Sequence, residues 1–140
     1  MSNLDTALNI AIEAHKDQVD KAGHKYISHP FRLSTKMDTE EEKIVALLHD
    51  VLEDSDVTEE YLVEQGFSDN VITALVLLTK TRKQDYLNDY IKKIKDDKLA
   101  TRIKIADLID NINLSRLSSV SVKDINRTRK YLNALEYLIN

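Results

Sequence analysis

Apolar residues recur at helical spacing through most of the chain, and short polar segments separate the apolar stretches. Intervals of three and four residues place such side chains on one face of a helix. The pattern predicts helices from about residue 4 to 21–23 and over 30–37, 40–54, 56–66, 71–78, 85–95, 99–117 and 121 onward. Strand signals are weak throughout, so we expect a compact all-α bundle of about six to eight helices.

Capping signals support two of these helix starts. Asp38-Thr39 followed by Glu41-Glu42 places a capping residue before acids that complement the helix dipole. Ser121 and Asp124 have the spacing of a capping box. The chain contains two glycines and one proline, a composition that disfavours the tight turns of hairpins.

Length, charge and cysteine content narrow the class of protein. We find no repeat, low-complexity tract or linker, and therefore expect one domain over residues 1–140. A formal net charge of −4 argues against nucleic-acid binding, which usually needs a basic face. No apolar run is long enough to span a bilayer. The absence of cysteine excludes disulfides and thiolate chemistry, and it is compatible with the cytoplasmic location that we expect.

The segment LLHDVLED, residues 47–54, inserts an imidazole and three carboxylates into an otherwise apolar helix. His49 and Glu53 are separated by one helical turn, as are Asp50 and Asp54. Burying neighbouring carboxylates without a partner is costly. Either they face solvent at a helix end, or a cation compensates them, since neutral imidazole and carboxylate both bind divalent metals.

Two distant segments favour the cation. His29 precedes Pro30, which biases it to an extended backbone just before a helix. Asp107 lies among isoleucine, leucine and alanine residues, with Asn111 one turn on. Alone, these are explained by a loop histidine and by a salt bridge from Asp107 to Lys104. Together the segments supply two nitrogen and two oxygen ligands, from His29, His49, Asp50 and Asp107.

The ordered motifs resemble those of the HD-domain metal phosphohydrolases, and within them the hydrolase domain of RelA/SpoT-type proteins. In chain order the matching segments are AHKDQ (14–18), YISHP (26–30), LLHDVLED (47–54), LTK (78–80) and KIAD (104–107). Gly23 and Asn111 also fit this order. The match covers nearly the whole chain, which resembles a stand-alone small alarmone hydrolase.

The resemblance implies an all-α HD domain that hydrolyses the 3′-pyrophosphate of (p)ppGpp to GDP or GTP and pyrophosphate. It implies one Mn²⁺, or another divalent metal, held by His29, His49, Asp50 and Asp107. It implies that Glu53 and Asp54 act on the water; we expect Glu53 to be the base and Asp54 to orient the water or assist the leaving group. The nucleotide contacts that it implies are Lys21, Tyr26, Asn111, Arg127 and Tyr131.

Two positions depart from the family pattern and bear on the substrate. Asp20 stands where a basic residue is usual, and Lys25 stands where proline is usual. A carboxylate at residue 20 would repel a pyrophosphate unless it turns away or pairs with Lys21. We therefore keep two alternatives, an HD hydrolase for a different nucleotide and a non-catalytic module that binds a nucleotide or partner. The candidate phosphate partners are Lys21, Lys25, Lys80, Arg82, Lys104 and Arg127.

Overall fold

The structure, a computed structural model, describes residues 3–140 and consists of helices joined by short turns. The helices are α1 (Asn3–His15), α2 (Ser28–Thr35), α3 (Glu40–Leu48), α4 (Val51–Asp54), α5 (Glu59–Glu64), α6 (Asp69–Leu77), α7 (Lys92–Lys95), α8 (Lys98–Ile112) and α9 (Val122–Ile139). A π-helical turn (Tyr86–Ile91) runs into α7, and a 3₁₀ turn (Leu114–Arg116) follows α8. The predicted all-α fold is confirmed, because residues 3–140 contain no strand and only an isolated bridge between Val19 and Lys25.

Side-chain caps begin most of these helices. Thr39 accepts a hydrogen bond from the backbone of Glu42, whose carboxylate binds the Thr39 backbone in return, as predicted. Ser121 and Asp124 form the same reciprocal pair at the start of α9, which is also as predicted. These caps satisfy backbone N–H groups that a helix start leaves without partners.

Two predicted helix ends are wrong, and side-chain hydrogen bonds to the backbone explain both. α1 ends at His15, where the Gln18 backbone N–H donates to the His15 carbonyl at 3.0 Å and the Gln18 side chain donates to the Ala14 carbonyl at 3.4 Å. The Asp20 carboxylate then closes a turn by accepting the backbone N–H groups of Ala22 and His24, each at 2.9 Å. Gly23 completes that turn with φ of 85°, a value that glycine adopts without strain. α8 ends at Ile112 because the Asn113 side chain accepts the backbone N–H of Ser115.

The helix predicted over residues 40–54 is also wrong as one element, since it breaks between α3 and α4 at His49 and Asp50. The predicted helix over 85–95 begins as the π-helical turn rather than as an α-helix. π-Helical turns often occur at functional sites.

The core surrounds α3. Its residues Ile44 to Leu48 are all buried, so this helix has no solvent face over that stretch. It packs against α1, α2, α6 and α8. α9, by contrast, lies at the edge of the bundle, and only Ala134 and Leu138 of its 18 residues are buried. Among residues 3–140, no helix has both the length and the apolar character needed to cross a membrane.

Candidate active site

The break between α3 and α4 brings two adjacent side chains together. In a regular α-helix, neighbouring residues point about 100° apart around the axis. His49 is the C-cap of α3, and Asp50 is the N-cap of α4, with φ of −103° and ψ of −2°. The turn allows His49 Nε2 to lie 3.0 Å from Asp50 Oδ2. The irregular backbone between α3 and α4 therefore brings the side chains of His49 and Asp50 together.

The predicted ligands His29 and Asp107 lie at the same place, supplied by α2 and α8. Asp107 Oδ1 is 2.9 Å from His29 Nε2 and 3.4 Å from His49 Nε2. Asp50 Oδ2 is 4.0 Å from His29 Nε2. Ligand atoms of His29, His49 and Asp50 all lie within 4.8 Å of one another. Four side chains from three separate segments thus converge on one point, which we call the ligand cluster.

The hydrogen bonding of His49 fits a cation. Its Nδ1 lies 2.7 Å from the Ala46 carbonyl and donates to it, which leaves the lone pair on Nε2. Nε2 is buried and has no hydrogen-bond partner, although carboxylate oxygens face it. Burial would lower the pKa of His49, but Asp50 and Asp107 outweigh burial and raise this pKa well above 6.5. The position therefore demands positive charge, which a proton or a divalent metal supplies.

Asp107 is held by partners on both oxygens. Lys104 Nζ donates to Oδ2 at 2.9 Å, and Asn111 Nδ2 donates to Oδ1 at 3.0 Å. Burial opposes ionisation of Asp107, yet Lys104, His29 and His49 together hold its pKa well below the usual value. Lys104 is itself buried in this ion pair. Its assignment as a candidate phosphate partner is therefore wrong, and the salt bridge considered as the simpler explanation is present.

Asp110 supports the cluster from behind and was not identified from the sequence. Its Oδ2 lies 2.6 Å from His29 Nδ1, and Arg32 donates to both of its oxygens at 2.9 and 3.0 Å. Histidine ligands typically donate their second ring N–H to a carboxylate in this way, which fixes the ring and its tautomer. The three-residue spacing from Asp107 was the available signal, since it places both carboxylates on one face of α8.

The two carboxylates assigned to water activation lie at the end of α4 in different settings. Glu53 Oε1 accepts the backbone N–H of Lys80 at 2.9 Å, which ties α4 to the turn after α6. Partial burial, with the charges of Asp50 and Glu53, raises the pKa of Asp54 to about 6. This shift towards neutrality suits Asp54 to the role of a proton carrier.

His15 and Gln18 connect α1 to this region, although the sequence motif gave them no role. Gln18 Nε2 donates to the backbone carbonyl of Asp54 at 2.9 Å. Its Oε1 therefore accepts from His15 Nδ1 at 2.8 Å, and His15 Nε2 carries the lone pair. The His15 ring packs against Tyr26, with centroids 4.9 Å apart. This arrangement holds α4 and Tyr26 in place beside the cluster.

The five residues predicted to contact the nucleotide line one pocket of about 340 Å³ beside the ligand cluster. They are Lys21, Tyr26, Asn111, Arg127 and Tyr131. The Tyr26 hydroxyl donates to Asp50 Oδ2, and Asn111 donates to Asp107, so these two side chains join pocket and cluster. Arg116, which the sequence did not single out, adds a third cation to the lining.

The two departures from the family pattern do not obstruct this pocket. Asp20 is part of the pocket lining, but its Oδ1 accepts the backbone N–H groups of Ala22 and His24, and these hydrogen bonds reduce its repulsion of a phosphate. Lys25 is exposed and is not part of the pocket lining. The cations that face the pocket are therefore Lys21, Arg116 and Arg127.

A larger pocket of about 720 Å³ lies between α1 and the α4–α5 segment. Its lining includes Glu13 and Asp56 but no lysine or arginine. A phosphorylated ligand would meet negative charge there, whereas the smaller pocket combines three cations with the single carboxylate of Asp20.

Comparisons with known proteins find relatives with two kinds of name, pyrophosphohydrolase and pyrophosphokinase. The chain is 32% identical over 120 residues to guanosine-3′,5′-bis(diphosphate) 3′-pyrophosphohydrolase of Aquifex aeolicus, covering 78% of this chain and 17% of that protein. It is 34% identical over 116 residues to the protein of the same name from Haemophilus influenzae, covering 74% and 17%. It is 29% identical over 123 residues to the GTP pyrophosphokinase rsh of Brucella melitensis, covering 78% and 16%. The chain thus spans about a sixth of the length of these relatives. No family model matches it.

A solved structure has the same fold. It is a metazoan ortholog of SpoT, described as hydrolysing ppGpp and playing a role in starvation responses. The two superimpose with a TM-score of 0.80 at 21% sequence identity, covering all of this chain and 86% of the other. The similarity extends the all-α assignment to the arrangement of the helices.

Proposed function

Since the chain is related to the RelA/SpoT-type (p)ppGpp hydrolases, we propose that it is a metal-dependent phosphohydrolase that removes the 3′-pyrophosphate of (p)ppGpp. The products are GDP or GTP and pyrophosphate. Relatives named for hydrolysis and for pyrophosphate transfer are both present, and the site favours hydrolysis because the ligand cluster adjoins acids suited to activating water.

One observation carries the proposal: the ligand cluster and a pocket with three cations share Tyr26 and Asn111 as a common wall. Phosphoryl transfer depends mainly on positioning and on neutralising charge. The cluster supplies a place for the reacting phosphorus, and the pocket supplies positive charge for the rest of the nucleotide.

His29, His49, Asp50 and Asp107 would hold the metal. Their nitrogen and oxygen atoms suit Mn²⁺, Fe²⁺, Co²⁺ or Zn²⁺ more than Ca²⁺, and Mn²⁺ is the ion we propose. A bound divalent ion lowers the pKa of its water and polarises a phosphoryl oxygen. Lys104 and Asn111 keep Asp107 oriented, and Asp110 keeps His29 oriented, so the donor atoms are fixed before the ion arrives.

In the reaction, water loses a proton and its oxygen bonds to the phosphorus attached to the ribose 3′-oxygen. The bond from phosphorus to that 3′-oxygen breaks, and the oxygen is protonated as the nucleotide leaves. We assign the proton transfers to Asp54, whose pKa of about 6 allows it both to accept and to donate a proton near neutral pH. Glu53 ties α4 to the turn at Lys80 and remains the alternative base.

Side chains of the pocket would bind the rest of the nucleotide. Lys21, Arg116 and Arg127 offer donors to phosphate oxygens. Tyr131 offers an aromatic face to the base or sugar. Burial and the neighbouring Asp50 raise the pKa of Tyr26, so its hydroxyl remains a neutral donor to Asp50. A small-molecule nucleotide is the partner we propose, and the cytoplasmic location expected from the sequence stays a prediction.

The test is a panel of nucleotides incubated with the purified protein and Mn²⁺, scored separately for pyrophosphate and phosphate release. We expect pyrophosphate from (p)ppGpp as the main product. Release from a different nucleotide would overturn the substrate and keep the hydrolase, whereas no release from any nucleotide would overturn both.

A matched pair of histidine variants controls the panel. His49→Ala removes a buried side chain of the cluster, whereas His24→Ala removes a histidine whose side chain is 60% exposed and lies outside the cluster. Activity should be lost in the first and kept in the second.

A further inference from the structure

The outer face of α9 carries an apolar stripe that the rest of residues 3–140 covers only in part, at Leu135, which packs against the core. Ile125, Leu132 and Ile139 follow one another at seven-residue intervals and are 48%, 49% and 64% exposed. Thr128 and Leu135, both half-buried, lie between them. The resulting spacing of three, four, three and four residues is that of a coiled-coil seam.

The stripe lies on a helix at the edge of the bundle, most of whose residues are not buried. Only Ala134 and Leu138 of α9 are buried, and the helix packs mainly against α8. Single exposed apolar residues are ordinary, but a continuous row along one helix is typical of an interaction surface.

We propose that a second copy of this chain packs on the stripe, with the two α9 helices antiparallel about a two-fold axis. In that arrangement Leu132 faces Leu132 of the second copy at the axis. Ile125 faces Ile139 of the second copy, and the reverse contact follows by symmetry.

Charges beside the stripe select the second copy and its direction. Arg129 and Glu136 each follow a stripe position by four residues and are exposed. The arginine of α9 that forms an ion pair within the helix is Arg127, with Asp124 at 2.7 Å. In the antiparallel pair, Arg129 lies beside Glu136 of the second copy, twice. A parallel pair would instead place Arg129 level with Arg129 and Glu136 level with Glu136.

The length of α9 sets the strength of this contact. An 18-residue helix is about 27 Å long, so a single helix pair gives an interface at the small end of specific contacts. We expect a dissociation constant of about 1–100 μM, in the range of weak, transient assemblies. Arg127 and Tyr131, which line the substrate pocket, are not members of the stripe, so the dimer does not rest on the proposed reaction.

Sedimentation velocity over about 1–300 μM, a range bracketing that constant, tests the proposal on the full chain. The wild type should shift from monomer to dimer. Leu132→Glu, which places two like charges at the axis, should weaken the dimer at least tenfold, by about 1.4 kcal/mol. The control Asn126→Glu adds the same charge at an exposed position of α9 outside the stripe and should still dimerise. Circular dichroism checks that each variant keeps its helices.

A charge exchange makes the test specific to the register. Arg129→Glu and Glu136→Arg should each weaken the homodimer, because each gives like charges at both contacts. An equimolar mixture of these two variants should form a heterodimer, and the double variant should dimerise like the wild type. A monomeric wild type at the highest concentration, or a dimer that ignores Leu132→Glu or these exchanges, overturns the proposal.

Discussion

α8 and α9 are neighbours in the chain and pack on each other, yet they hold their polar residues differently. In α8, Lys104, Asp107 and Asp110 are all buried, and each has a charged partner within hydrogen-bond distance. In α9, Arg127 and Tyr131 are only partly buried and face a pocket. The ligand cluster is therefore part of the core, whereas the pocket wall beside it is supplied by a peripheral helix. Changes at the buried polar residues of α8 should affect stability and chemistry together, whereas changes at the pocket residues of α9 should affect substrate binding with little effect on stability.

The largest effect is expected for Asp107→Ala. It removes a ligand and leaves Lys104 as an uncompensated buried charge, which costs about 3–5 kcal/mol of unfolding free energy. Activity and metal binding should be lost. Urea unfolding and the pyrophosphate assay measure the two losses.

A double variant separates these losses. Lys104→Met combined with Asp107→Leu replaces the ion pair by apolar side chains, and such replacements are often neutral for stability. It should recover most of the stability and none of the activity. A single Asp107→Ala variant as stable as the wild type would contradict the role of α8 as buried support.

The second largest effect is expected when Asp54, the proposed proton carrier, is removed. Asp54→Asn should lower kcat by about 10²–10⁴-fold while metal content and stability stay near wild type, because Asp54 lies at the end of α4. Glu53→Gln should be the milder change, since its carboxylate is bound to the backbone of Lys80. A larger loss of kcat in Glu53→Gln than in Asp54→Asn would identify Glu53 as the base.

Metal affinity should rise with pH, because protons on His29 and His49 compete with the metal for the ligand cluster. Burial opposes protonation of His29, but its hydrogen bonds to Asp107 and Asp110 raise its pKa, and that of His49 is raised as well. A metal must displace these protons. Affinity should increase by up to about 100-fold per pH unit, for two protons, and level off above the raised pKa values.

The protons on His29 and His49 also affect the stability of the metal-free protein. A pKa raised by folding stabilises the native state below the unfolded value of 6.5, and this contribution is lost as pH rises through the raised value. Calorimetric titrations with Mn²⁺ at several pH values, and unfolding of the metal-free protein, measure both trends. An affinity that does not change between about pH 6 and 8 would contradict the protonated cluster.

The smallest effect is expected in α9. Arg127→Ala removes a pocket cation that Asp124 orients at 2.7 Å, and it should raise KM several-fold with little change in kcat or stability. Lys123→Ala, an exposed charge on the same helix, is the matched control and should change neither. A collapse of kcat in Arg127→Ala would mean that α9 takes part in the chemistry itself.

The sequence was informative where a polar residue interrupts an apolar stretch. His29, His49, Asp50 and Asp107 were predicted as ligands on that basis, and the structure brings them together. Core helices also followed from periodicity, because burial of α3 demands apolar residues around its circumference.

Other features depend on contacts that periodicity does not encode. The break at His49 and Asp50 lies inside an uninterrupted helical pattern, so only the packing of α3 and α4 reveals it. In the sequence, Lys104 and Asp110 cannot be told from ordinary exposed helix charges. Their partners, Asp107 and His29, become visible only in the folded structure. The end of α1 is capped by Gln18, whose backbone N–H binds the His15 carbonyl and whose side chain binds the Ala14 carbonyl.

Titration of the metal-free protein with Mn²⁺, followed by the electron paramagnetic resonance signal of the free ion, tests the central claim most directly. The claim is that α2, the α3–α4 break and α8 together hold one divalent ion. One ion should bind per wild-type chain, and His29→Ala should weaken binding by about 10–100-fold or more, since it removes the ligand that α2 supplies. A wild type that binds no Mn²⁺, Fe²⁺, Co²⁺ or Zn²⁺, or a His29→Ala variant that binds Mn²⁺ as tightly as the wild type, would contradict the claim.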